Sequence, residues 1–134
     1  MQNLTYKSEF IPEVLISIVL SDNPNYEKLE PIFKELGYGF MVPNQNLIII
    51  DGEQLINNFD SDVLKFIEAH EISHIIMGHD NDRNEDDEID ADLGAYFLLK
   101  KHNKSLSPLI DNFYDRHGIE FDEKLLKRVE GYFV

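Results

Sequence analysis

The chain has 134 residues, with 26 acidic side chains against 12 basic ones, a formal charge of −14, 43% hydrophobic residues and no cysteine. That length is the usual size of one domain, which buries roughly two thirds of the surface its unfolded chain exposes, and the apolar content is too high for a disordered acidic tail. The charge excludes nucleic-acid binding through a basic patch. The lack of cysteine excludes disulfides and thiolate metal sites, so a metal would need histidine and carboxylate ligands.

Pro12 suits the first turn of a helix reaching about Leu20, broken by Ser21-Asp22-Asn23-Pro24-Asn25. Its apolar run, Val14 to Leu20, is too short to span a bilayer and follows Glu9 and Glu13 rather than a basic segment. The chain therefore reads as soluble and cytoplasmic, with no membrane partner. A second helix is expected from about Asn25 to Leu36, stopped by Gly37. Tyr38 to Val42, a Pro43-Asn44-Gln45 turn and the β-branched run Leu47 to Ile50 read as a β-hairpin.

From Asp60 or Ser61, a helical pattern runs to Met77 and ends at Gly78. Val63, Phe66, Ile67 and Met77 share a face with His70 and His74, while Leu64, Ala69, Ile72, Ile75 and Ile76 cover most of the rest. A helix apolar nearly all round is a buried one. A polar loop, Asp80 to Asn84, leads into a helix from about Glu85 to Lys101. Ser107-Pro108 starts another that ends before Gly118, and Asp122 can cap a last one through Glu130. The expected fold is α+β: a mostly helical single domain, 1–134, with a small antiparallel β-hairpin or sheet packed on the buried helix.

The sharpest chemical feature is His70-Glu71-Ile72-Ser73-His74, an H-E-x-x-H motif inside that helix. Residues four apart on a helix are neighbours, so both imidazoles can reach one metal ion while Glu71 reaches a water bound to it. Buried histidines and a buried glutamate each need a partner, and Zn2+ supplies one to all three. A catalytic zinc site takes three protein ligands. The metzincin spacing fails, because Met77 and Asp80 stand where glycine and histidine are required and Gly78-His79 is one residue out of register. His79 is expected at the helix C-terminus, where the dipole favours an imidazolium.

A carboxylate from the following helix is the other source of a third ligand. Glu88 and Asp92 lie four apart on one face with Ala91 and Ala95, whose small side chains permit close helix packing. Glu88 then ligates the metal, and Asp92, one turn on, accepts the remaining N–H of a ligand histidine. The plain alternative is that both are further charges on a solvated face.

These segments resemble the ImmA/IrrE family of small zinc metallopeptidases. The similarity rests on the helix ending in Gly37, the strand Leu47 to Asp51, FIEAHEISHIIMGH (Phe66 to His79) and EIDADLGAYFLL (Glu88 to Leu99), and covers about residues 25–100. It implies His70, His74 and Glu88 as zinc ligands and Glu71 as general base. It further implies a protein substrate: a helix-turn-helix transcriptional repressor, encoded nearby on a phage or mobile element. Asp90 replaces the family's usual glutamate, Gly94 an aromatic, and Lys100-Lys101 the Met-Pro that often follows. The Ala-Asp-x-x-Gly pattern is also similar to that of small soluble relatives of the membrane-bound peptidases that process prenylated proteins.

Zinc hydrolysis calls for a further oxyanion donor, for which Tyr96, Tyr114 and His117 are the candidates. Leu47 to Ile50, at a sheet edge, would align a substrate strand by backbone pairing. Residues 80–92 carry Asp80, Asp82, Glu85, Asp86, Asp87, Glu88, Asp90 and Asp92 against Arg83, a net −7 that is half the total. Beside a cleft, those acids favour a basic substrate segment. Asp80, Asp82 and Asn84 fit the start of an EF-hand loop, but Glu85 replaces its glycine and Ala91 its bidentate glutamate. The competing functional readings are a non-enzymatic acidic protein, either a DNA mimic or an inhibitor, and a zinc protein that binds a repressor without cutting it.

Overall fold

A computed structural model describes residues 3–42, 44–56 and 60–134. Pro43, in the expected hairpin turn, lies outside the described residues. The fold is α+β, and the chain divides into two compact units, Met1–Asp60 and Ser61–Val134.

The first unit holds strands β1 (Asn3–Lys7), β2 (Leu15–Val19), β3 (Gly39–Val42) and β4 (Leu47–Asp51), with helices α1 (Tyr26–Leu36) and α2 (Gly52–Ile56). The sheet order is β1-β2-β4-β3. The expected β3–β4 hairpin forms, with Phe40 opposite Ile49, and Asn44 and Asn46 adopt the left-handed conformation in its turn. The sheet is nevertheless mixed, because β2 runs parallel to β4 and antiparallel to β1.

Two expectations fail here. The segment from Pro12 to Leu20 is not a helix; its second half is the interior strand β2. A short apolar run does not by itself separate a buried strand from a buried helix. Ile16, Ile18 and Val19 favour the pleated backbone, and pairing on both edges decides the matter. For the same reason β4 cannot align a substrate strand, since β2 and β3 occupy both of its edges. Ile16, Ile48 and Ile50 are fully buried on these two interior strands. Asp51 ends β4 and starts α2, accepting the Glu53 N–H (3.1 Å), the Gln54 side-chain amide (2.6 Å) and the Tyr26 hydroxyl (3.0 Å).

The second unit comprises α3 (Ser61–Met77), α4 (Glu85–Lys101), α5 (Ser107–His117), a 3-10 turn (Glu123–Arg128) and α6 (Glu130–Phe133). In α3 the run from Phe66 to His74 is buried, as its apolar circumference predicts. Gly78 (φ 78°) ends the helix in a Schellman motif: the His79 N–H bonds the His74 carbonyl (2.8 Å) and the Gly78 N–H that of Ile75 (3.1 Å).

Asn84 caps α4 through a capping box with Asp87, and four acids in its first turn complement the helix dipole. Residues 85–91 are thus helical, which removes the second half of the EF-hand loop. His70 meets Asp92 while His74 meets Glu88, so α3 and α4 run antiparallel. Ala91 and Ala95 are fully buried in α4. At Gly94, a Cβ would come within 2.5 Å of the Phe133 ring and 2.7 Å of Ser73 Oγ, so the aromatic of the family pattern has no room here. Among the described residues, no helix is long and apolar enough to cross a membrane.

Candidate metal centre

Local helix geometry builds most of the site. One α3 turn separates His70 from His74, and their Nε2 atoms lie 3.1 Å apart. From α4, Glu88 brings one oxygen to 3.1 Å of His70 Nε2 and the other to 3.0 Å of His74 Nε2. A tetrahedral zinc with bonds of about 2.0–2.1 Å separates its ligand atoms by about 3.3 Å, so the three side chains fit one ion with little adjustment. Ligand atoms of His70, Glu71 and His74 also fall within 4.8 Å of one another. Glu71 is the outlying member, its Oε2 being 3.9 Å from His70 Nε2 while Glu88 touches both imidazoles. Glu88 thus lies closer to both imidazoles than Glu71 does to His70.

Asp92 is fully buried in α4, with one oxygen 2.6 Å from His70 Nδ1. Its other oxygen accepts from His117 and, at 2.9 Å, from Arg116 Nε. A carboxylate on Nδ1 fixes a hydrogen there, so that deprotonation of the ring would free the Nε2 lone pair. Asp92 thus contacts His70 from the next helix and has two further partners, Arg116 and His117, on α5. Gly118 (φ 72°) stops α5 just after those two residues.

The electrostatics are coupled. Burial disfavours the His70 imidazolium, but Asp92, Glu88 and Glu71 outweigh it and hold the pKa up at about 9. Burial instead takes His74 down to about 4, against the pull of Glu88. Burial opposes ionisation of Glu88 and Asp92 too, yet their histidine partners hold both well below the usual carboxylate range. Glu71 is raised by burial, which the His70 and Arg83 charges offset only in part.

Arg83 is the residue sequence reasoning passed over. Its guanidinium forms a two-pronged pair with Glu71 (Nη2 to Oε1 3.0 Å, Nη1 to Oε2 3.4 Å) and stands 3.7 Å from Glu88 Oε1. Its Nε bonds the Asp80 carbonyl (2.9 Å), so the loop folds around it. The one available signal was its position as the single base among eight acids. Of the three suggested oxyanion donors, Tyr96 stacks on Phe121 in the core, Tyr114 is exposed, and His117 bonds Asp92 through Nε2 while lining the cleft beside Glu88. An open cleft of about 300 Å³, lined by Glu85, Glu88, Arg116 and His117, leads to the Glu88 side of the centre.

Compared with known proteins, the chain matches no family model, no curated protein and no solved structure.

Proposed function

We propose that this chain is a zinc-dependent endopeptidase, with His70, His74 and Glu88 as ligands and Glu71 as general base. The observation that carries the proposal is the triangle of two imidazole nitrogens and one carboxylate, with sides of 3.0–3.1 Å and a second buried carboxylate beside it. Buried nitrogen and oxygen donors gathered this closely can be held together by shared protons or by a cation, and a zinc ion would satisfy all three side chains at once. When bound, zinc supplies Lewis acidity and lowers the pKa of a coordinated water toward 7. Glu71, whose burial raises its proton affinity, would serve there as the general base that holds a proton and passes it on. Asp92 holds the His70 ring, and Arg116 and His117 hold Asp92.

The substrate class rests on the resemblance to the ImmA/IrrE family, which points to a helix-turn-helix repressor as the protein cut. A zinc protein that binds its repressor without cutting it is the second reading, favoured by the Arg83 pair that occupies Glu71. Incubating zinc-loaded protein with the repressor encoded nearby, as wild type and as Glu71→Gln, separates the two. Repressor lost only with wild type supports proteolysis; equal binding and no cleavage refutes it.

A further inference from the structure

The two histidine ligands are supported differently. His70 Nδ1 meets the Asp92 carboxylate directly, whereas no carboxylate among the described contacts touches His74 Nδ1. Its neighbour is His79 Nδ1, at 3.0 Å. Two imidazole nitrogens at that distance share one hydrogen. If His74 is to present its Nε2 lone pair to a metal, the hydrogen sits on His74 Nδ1 and His79 accepts it. His79 then carries its own hydrogen on Nε2, which stands 3.4 Å from Asp87 Oδ1. The other Asp87 oxygen receives the Asn84 N–H in the capping box of α4, 3.4 Å away.

We propose that His79 is a positioning residue for the second metal ligand, fixing the His74 tautomer and ring and anchoring itself on the Asp87 carboxylate. The inference rests on the zinc reading above. It gives a purpose to the Gly78-His79 pair, which is out of register for ligation. The left-handed Gly78 folds the chain back over the last turn of α3, and this places the His79 ring against that of His74. It also ties the capping box of α4 to the metal ligand on α3, so the loop 78–84 belongs to the site.

The test compares wild type, His79→Ala and His79→Asn by zinc affinity, measured against a competing chelator, and by NMR of the histidine ring protons in the zinc-loaded protein. Asparagine keeps an acceptor oxygen near the place of His79 Nδ1. The expected result is an affinity about 10–100-fold lower for the alanine variant, the usual effect of losing such a partner, and largely restored by asparagine. The His74 Nδ1–H should exchange slowly with water in wild type and His79→Asn and rapidly in His79→Ala. Unchanged affinity and an unchanged ring proton in His79→Ala overturn the inference alone. Wild-type protein that takes up no zinc overturns the metal reading and this inference together.

Discussion

Raising the pH from 7 to 9 should strengthen zinc binding by about 50-fold. With a pKa of about 9, His70 is an imidazolium at pH 7 in the metal-free protein, with Nδ1–H on Asp92 and Nε2–H directed at Glu88. Metal at Nε2 must expel that second proton. The neutral fraction of His70 rises from about 1% at pH 7 to about 50% at pH 9, a factor of about 50 in affinity, or about 2.3 kcal/mol. His74, at about 4, is already neutral and releases nothing. Competition with a chromophoric chelator from pH 6.5 to 9.5 should give a gain that is about tenfold per unit well below pH 9 and levels off above it. Calorimetry in buffers of different ionisation enthalpy should count about one proton released per ion. An affinity flat between pH 7 and 9, without proton release, would refute the reasoning, because it would mean that His70 is neutral before the metal arrives or does not ligate it.

Glu88→Gln should weaken zinc binding by more than the about 10–100-fold expected of Asp92→Asn, and equal losses would remove Glu88 from the ligand set. Asp92→Asn should also lower the melting temperature of the metal-free protein, because Arg116, His117 and His70 lose a buried counter-charge worth about 3–5 kcal/mol; an unchanged melt would show that the network carries no stability. Arg83→Met should tighten zinc binding, since it removes a positive charge 3.7 Å from Glu88 Oε1, the proposed ligand, whereas weaker binding would mean that the guanidinium supports the site. Gly94→Ala should destabilise by about 1–3 kcal/mol, the overpacking against Phe133 and Ser73 exceeding the helix-propensity gain, and a raised melting temperature would contradict that packing.

How much of this was legible in the residues differs between the two units. In the second, α3 ends at Gly78, α4 spans Glu85–Lys101 and α5 stops at Gly118, all as capping residues and glycines predict. The i,i+4 spacing placed His70 beside His74 and Glu88 on one face with Asp92, because helix geometry is local and repeats every 3.6 residues. In the first, the β3–β4 hairpin is readable from its turn, but the apolar run of β2 reads as a helix and its parallel pairing with β4 leaves no mark in the sequence. Strand partners are chosen across some thirty residues of chain, by contacts that no window of sequence contains.

The sequence by itself determined the helices of the second unit and the chemistry they carry, two imidazoles and an acid in one buried turn. Only the tertiary structure decided what surrounds that chemistry: Arg83 on Glu71, Arg116 and His117 on Asp92, His79 on His74. Three of these four reach their partners from another element or from the loop, and His79 is folded back onto its own helix by the Gly78 turn. Charge pairing of this kind depends on distance through space, and in so acidic a chain the sequence offers each base many carboxylates while the fold selects one.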